Sequence, residues 1–325
     1  MADPARKWTD AQLAEMERHI RQIYEQAKSE LTEKWDAYMK RGKTRLEKLF
    51  ADYMAAPADK KAQALEKYQN ALRNFTLRNQ WYGEMVAQTA YRLARVNEIA
   101  LAYVNGRIPS IYARNFNQVD PDALLIKPNW TIRNEYMVRN LLLNSLPQKT
   151  LNYAKDMAWN TQQINSSVLQ GVLQGESIDK MSKRLLPIVK NNRVAAVRAA
   201  RTMVTGAENK GRFDRYHDYE SAGVVMTKVW IATPDGRTRA WHLSMDGQEV
   251  GVDEPFIDGH GHELQYPGDP SAPPDSIYNC RCSMRSHIMG VRGPSGKVTP
   301  IKNYRTEQSF HEQQIATEKE RRGNA

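Results

Sequence analysis

Between Leu13 and Tyr53, apolar side chains return every three or four residues: Leu13, Met16, Ile20, Ile23, Ala27, Leu31, Trp35, Tyr38, Leu46, Leu49 and Tyr53. This is helical periodicity with a near-heptad seam, and only Gly42 interrupts the stripe. A helix of roughly 40 residues runs about 60 Å. So narrow a stripe buries too little alone, so the helix needs a partner. The next segment supplies one. After Ala56-Pro57-Ala58-Asp59 the pattern resumes through Leu65, Tyr68, Leu72 and Phe75. It continues through Met85, Val86, Ala90, Leu93, Val96 and Ile99 to Asn105-Gly106. Residues 10–105 therefore read as an elongated helical hairpin.

Residues 107–130, with Pro109, Pro121 and Pro128, read as an irregular connector. Helices are expected over 132–158 and 161–173, then from Ser177 as N-cap to near Pro187, and over 191–217. At Val224 the composition changes. Val224–Ile231 is rich in β-branched residues and reads as a strand. Pro234-Asp235-Gly236 reads as a turn, with Gly accepting positive φ. The Gly-, Pro- and Asp-dense stretch 251–276 reads as an irregular loop, and 278–288 as a closing strand. From Gly290 the chain reads as a linker and a charged tail.

Charge follows this division. Residues 1–165 carry net +7, 166–220 net +4 and 221–325 net −1, within a total of +10. The basic excess of the helical part favours nucleic acid, an anionic membrane or an acidic partner surface, and does not choose among them. No apolar run is long enough for a membrane helix, and Met-Ala-Asp-Pro-Ala-Arg-Lys-Trp lacks the apolar core of a signal peptide. Two cysteines spaced Cys-Arg-Cys do not make a secreted disulfide framework, so a reducing cytoplasm is expected.

The most specific signal lies towards the C-terminal side. Ala200-Arg201-Thr202, Ala207, Asn209, Gly211 and Arg212 precede Trp230. Asp235-Gly-Arg237-Thr-Arg239-Ala-Trp-His242-Leu-Ser-Met-Asp246-Gly247-Gln248 follows. Phe256, Pro267-Gly-Asp269-Pro270 and Asn279-Cys280-Arg281-Cys282 come next. In this order the pieces resemble the head morphogenesis domain of the Mu F type, found in tailed-phage minor head proteins. The resemblance covers about 165–288. Members of that family often carry Glu after the Arg-Thr pair, where this chain has Met203. The resemblance implies a protein held inside the phage head at the portal vertex. Its implied partners are the portal protein, coat or scaffolding protein, and packaged double-stranded DNA. Self-association through the helices is open, and no membrane partner is expected.

Each candidate residue has a plain and a sharp reading. Cys280 and Cys282 share a face if extended. Reduced thiols packing a β-core are the plain reading. Structural zinc, with His242, His260, His262 or His287 as further ligands, is the sharp one. His242 with Asp246, Arg237 and Arg239 suggests acid–base work, and a metal-dependent nuclease or toxin-related effector using His242, His260 and His262 is its concrete form. No G-x-S-x-G, carboxylate pair or phosphate loop accompanies it, so a buried His beside an Asp-Gly turn is expected. On a helical wheel Arg201 falls within roughly 80° of Val194, Val197 and Val204. It should thus be buried or paired, with Asp246 or Asp269 as candidate partners. Lys180, Lys183, Arg184, Lys190, Arg193 and Arg198 form the densest basic cluster, suited to phosphates, although Arg198 lies about 140° around the helix from Arg193.

The expected fold is mainly α, an elongated helical N-terminal region followed by a small α+β C-terminal module. The expected divisions are 1–165 for assembly contacts, 166–290 for the Mu F-like domain and 291–325 as a flexible charged tail. Arg201, Trp230, Arg239, His242, Asp246, Gly247, Asn279, Cys280 and Cys282 are expected to serve the domain structurally, with no catalytic role. The expected location is the interior of the virion head, after assembly in the bacterial host cytoplasm.

Overall fold

The computed structural model describes residues 4–118, 120–126 and 150–300. Nine helices of the described residues precede the first strand: α1 Pro4–Lys40, α2 Lys43–Ala55, α3 Ala58–Phe75, α4 Gln80–Asn105, α5 Ile108–Phe116, α6 Pro121–Ile126, α7 Tyr153–Leu173, α8 Ile178–Ser182 and α9 Leu185–Ser221. The remainder is β1 Val224–Ile231, α10 Ala240–Leu243, β2 Glu249–Gly251, β3 Phe256–Ile257, β4 Glu263–Leu264, α11 Pro274–Ile277, β5 Ser283–Arg292 and β6 Val298–Pro300. A long helical region followed by a small sheet-bearing module is the fold the sequence leads one to expect.

The chain forms two compact units, each assembled from separated stretches. One comprises residues 17–103 and 149–197 and is helical throughout its described part. The stripe of α1 is buried as its period requires, through Ile20, Tyr24, Ala27, Leu31, Trp35 and Tyr38. Gly42 follows the end of that helix. A Cβ there would lie 2.7 Å from the Phe75 ring, so the gap in the stripe makes room for an aromatic neighbour. Tyr38 stacks on Phe75 and donates to its carbonyl at 2.6 Å. A polar network crosses this core: Asn97 accepts from the Tyr24 hydroxyl and donates to Asp156 and Asn192, each at 2.8 Å. Asn192 donates in turn to Asn160 at 2.9 Å.

The other unit comprises residues 1–16, 104–148 and 198–325, of which the described part holds the β-structure. Its four strands are antiparallel in the order β2-β1-β5-β6, with β3 and β4 forming a separate hairpin. Trp230, Phe256, Met284, Ile288, Cys280 and Cys282 belong to one core cluster with Tyr216 and Tyr219 of α9. Lys228 is buried on β1. It donates to the carbonyl and side chain of Gln265 at 2.9 and 3.1 Å and lies against the Phe213 and Phe256 rings. Burial pushes its ammonium down to about 8.

Several expectations from sequence are corrected. The connector at 107–130 is helical over α5 and α6, because Pro109 and Pro121 sit in first turns, where a missing N–H costs nothing. Helix α7 runs unbroken through 158–161. Pro187 ends no helix; it lies in the first turn of α9. Gly236 does not take positive φ; the turn is closed by the Asp235 side chain accepting from Arg237 N at 3.0 Å. The stretch 251–276 carries a strand end, a hairpin and a short helix. The tail begins later than expected, because 290–292 and 298–300 pair as strands. The helix expected over 132–158 falls largely outside the described residues, as does the tail from 301.

Gly211 on α9 lets α5 approach: an added Cβ would meet Tyr112 O at 2.5 Å and Phe116 N at 3.0 Å. Gly83 on α4 has nothing within 4 Å. Helix propensity alone favours Ala over Gly by about 1 kcal/mol. We therefore expect Gly83→Ala to stabilise the protein and Gly211→Ala to destabilise it by about 1–3 kcal/mol through overpacking. Chemical denaturation reads both. A Gly211→Ala chain as stable as the Gly83→Ala chain would contradict the close crossing.

Candidate functional site

Helix α9 reaches the β-unit with an unusual face. Thr205, Glu208, Asn209 and Arg212 follow helical spacing, yet they are polar, and the first three are buried. They meet the irregular backbone of 279–282 and the start of β5. Thr205 Oγ1 donates to the Cys280 carbonyl at 2.7 Å, and Asn209 Nδ2 donates to the Cys282 carbonyl at 3.3 Å. Asn209 Oδ1 accepts from Met284 N at 3.2 Å. Glu208 accepts from Arg6 at 2.9 and 3.0 Å and from Arg212 at 3.2 Å. Arg6 also donates to the Arg281 carbonyl at 3.0 Å.

These contacts hold a small buried cluster. Asn279 is the one non-glycine residue with positive φ among the described residues, at 57°, a conformation that Asn tolerates. It turns the chain so that Cys280 and Cys282 both point inward. His242 reaches them from α10: its Nδ1 lies 3.6 Å from the Sγ of each. His242, Cys280 and Cys282 are each no more than 2% exposed. Cys282 N donates to the Cys280 sulfur at 3.4 Å. The thiols titrate as a pair: their mutual hydrogen bond lowers Cys280 and pushes Cys282 up. His242 Nε2 is buried with no hydrogen-bond partner among the described residues, while the Trp230 ring packs edge-on at 5.8 Å.

The other motif residues shape the surroundings. Asp246 Oδ1 accepts from Ala232 N at 2.9 Å, and Gly247, at φ 78°, donates to the Trp230 carbonyl. Arg239 donates to the Tyr278 carbonyl. Arg281 grips Asp235 with two hydrogen bonds of 2.5 Å, which hold that carboxylate well below its ordinary range. Gly268, at φ 82°, lies against Gly206, and a Cβ would meet Gly206 N at 2.8 Å. The Pro-Gly-Asp-Pro piece thus docks backbone to backbone on α9.

Arg201 does not occupy the place the wheel assigns. Val194 on the supposed apolar stripe is 53% exposed, so that face is not core at its start. Arg201 is half-buried and donates to Asn279 Oδ1 at 3.5 Å, with Asp246 and Asp269 engaged by backbone N–H groups instead. The buried acid on this face is Glu208, which ties α9 to Arg6 in the first turn of α1. Its i,i+4 spacing to Arg212 is visible in sequence; its pairing with Arg6, 202 residues away, is not.

His260 and His262 stand apart from His242 and group with Asp258. Their loop is pinned. Asp258 accepts from the backbone N–H of His260 and His262 at 2.8 and 2.9 Å, and from Ser276 Oγ at 2.6 Å. His260 stacks on Trp241 at 4.3 Å. Burial alone would raise the Asp258 carboxyl, but these donors outweigh it and bring it to about 2. Ser276, His262 and Asp258 do not make a nucleophilic triad. One nitrogen, His262 Nδ1, faces both Ser276 and Asp258 at 3.1 Å, whereas catalysis needs the base to contact them through opposite nitrogens. His287 faces Glu249 at 2.6 Å.

Of the six basic candidates, Lys180, Lys183, Lys190 and Arg198 reach the surface. Arg184 is taken up by Glu176 at 2.7 Å and the Ser167 carbonyl at 2.6 Å, and Arg193 pairs with Glu25 at 2.9 Å. Arg198 lies 5.9 Å from the Tyr278 ring centroid. Among the described residues, no helix is long and apolar enough to cross a membrane.

Two consequences are measurable. Removing Glu208 strips Arg6 and Arg212 of a buried carboxylate, so Glu208→Ala should cost about 3–5 kcal/mol by denaturant titration. A loss below about 1 kcal/mol would show that the pairing carries little. Asp258 is depressed from 3.8 to about 2, so its contribution is present above 3.8 and lost as pH falls towards 2. The stability gap between wild type and Asp258→Asn should then shrink by about 2 kcal/mol between pH 5 and pH 2. A gap constant over that range would refute the assignment.

Residues 162–285 match the family described as Phage Mu protein F like protein. The chain is 30% identical over 121 residues to the minor head protein GP7 of Bacillus phage SPP1, covering 37% of this chain and 39% of that one. It is 26% identical over 146 residues to a protein of Enterococcus faecalis named NAD(+)--arginine ADP-ribosyltransferase EFV, covering 45% of this chain and 29% of that one. It is 28% identical over 162 residues to the uncharacterized protein YqbB of Bacillus subtilis, covering 45% and 52%. The chain thus spans about half or less of the length of these relatives. No solved structure gives a significant match.

Proposed function

We propose that this chain, whose residues 162–285 belong to the Mu F-like family of phage head morphogenesis proteins, is a minor head protein inside the head at the portal vertex. There it aids head assembly and DNA packaging or release. The observation that carries this reading is how the motif residues are spent. Trp230, His242, Asp246, Gly247, Asn279, Cys280 and Cys282 are buried, or bonded to backbone or to one another, within one β-unit. Residues used in this way define a scaffold, not a reaction centre. His242, 1% exposed, is poorly placed to take a proton from a substrate. We therefore read the protein as a non-enzyme, and the nuclease alternative loses its central residue.

Partner contacts fall to the surfaces of the helical unit. Trp81 and Tyr91 on α4, and Trp159 and Leu173 on α7, are exposed large apolar residues of the kind that dock on a protein surface. Lys180, Lys183 and Lys190 offer sequence-independent contacts to phosphate. The portal protein, coat or scaffolding protein and packaged DNA are the partners this reading names.

The deciding experiment is a pull-down with the portal protein encoded beside this chain, imaged by electron microscopy, together with detection in purified heads. A defined complex is expected. Absence both from the complex and from heads would end the reading. For DNA, reversing Lys180, Lys183 and Lys190 should weaken binding to random duplex. The slope of log affinity against log salt should flatten by about 0.9 for each phosphate no longer neutralised. Unchanged binding would remove these lysines from the DNA surface.

A further inference from the structure

The cluster of His242, Cys280 and Cys282 has a geometry that packing alone does not call for. In a tetrahedral zinc site, Zn–N of about 2.0–2.1 Å and Zn–S of about 2.3 Å set nitrogen and sulfur about 3.6 Å apart. His242 Nδ1 lies 3.6 Å from Cys280 Sγ and 3.6 Å from Cys282 Sγ, and the three ligand atoms fall within 4.8 Å of one another. Without a cation the two thiols bond each other and Cys280 Sγ takes the Cys282 N–H, but the histidine cannot serve both sulfurs. Nδ1 carries either one proton or one lone pair, so it can serve only one sulfur well. A divalent cation serves all three atoms at once.

Charge points the same way. Two thiolates and a neutral imidazole around a dication sum to zero, which suits groups no more than 2% exposed. The backbone bond from Cys282 N to Cys280 Sγ is the kind of outer-shell donor that steadies a thiolate ligand. The ligands also come ready placed. Thr205, Asn209 and Asn279 fix the loop that bears the cysteines, and α10 fixes the histidine.

We propose that His242, Cys280 and Cys282 bind one zinc ion through Nδ1 and two thiolates. No fourth His, Cys, Asp or Glu joins this group among the described residues. The metal ties α10 to the segment leading into β5, 38 and 40 residues later in the chain, and so fastens the β-unit. The separate Asp258, His260 and His262 group has no sulfur, and Asp258 is already saturated with hydrogen bonds.

The test uses the full chain, purified under reducing conditions, exchanged against Zn2+ and dialysed. Elemental analysis should find one zinc per chain. Cobalt substitution should give the visible bands of a tetrahedral site and a near-ultraviolet thiolate-to-cobalt band. A strong chelator should lower Tm, and zinc should restore it. Cys282→Ser and His242→Ala should lose the metal, while His260→Ala keeps it. Wild-type chain that takes up no stoichiometric zinc, or cobalt without a thiolate band, overturns the proposal whether or not the variants fold. So does Cys282→Ser that retains the full metal complement.

Discussion

The β-unit depends on one mismatch: a helix face meeting a stretch of chain that forms no ladder. The segment 279–282 leaves its carbonyls without strand partners, and a buried carbonyl without a donor costs about 1–3 kcal/mol. An apolar helix face would leave that cost in place. Helix α9 answers it with Thr205 and Asn209, aimed at the carbonyls of Cys280 and Cys282. Glu208 then anchors Arg6, which caps the Arg281 carbonyl between them. Three successive carbonyls are satisfied from one side. The inward aim of the two cysteines follows from that backbone, not from any preference of their own.

The helical unit solves a related problem differently. Its aromatic core carries a chain of a carboxyl and amides from Asp156 through Asn97 to Asn192 and Asn160. Such a network adds little net stability. It does impose register, because sliding one helix by a turn would strand several buried amides at once. Where an apolar seam of repeating character could pair in more than one way, the amides select one.

Regular elements are legible in the sequence where a single period governs the chain. The stripe of α1 and the β-branched run of β1 both appear where local pattern places them, β1 from Val224 to Ile231. Gly42 stands out as a defect, and the Phe75 ring explains it. Legibility ends where a residue type has two uses. Proline in a first turn and proline in a loop look alike, so α5 and the start of α9 do not show in the pattern. The wheel puts Arg201 in the core because it assumes that the buried face of α9 is purely apolar; the buried face instead sets Thr205, Glu208 and Asn209 among Ala200, Val204 and Ala207. His242, Cys280 and Cys282 can be grouped from sequence. His260 and His262 stand apart on the hairpin held by Asp258, and His287 faces Glu249 from β5, contacts no spacing rule encodes.

The two units are threaded through one another along the chain, and this sets an order for folding. The helical unit has all its parts once residue 197 has been made, and its contacts can close while synthesis continues. The β-unit cannot. Its opening helical turns hold Arg6, whose partners Glu208 and Arg281 lie 202 and 275 residues downstream. Until those residues emerge, the first turns of α1 hold a guanidinium whose buried carboxylate partner has yet to be made, with the exposed Asp10 one turn away. Closing so long a loop is slow in proportion to its entropy. The docking of the N-terminal turns therefore comes late: only a chain whose residues 208 and 281 have been made can complete it.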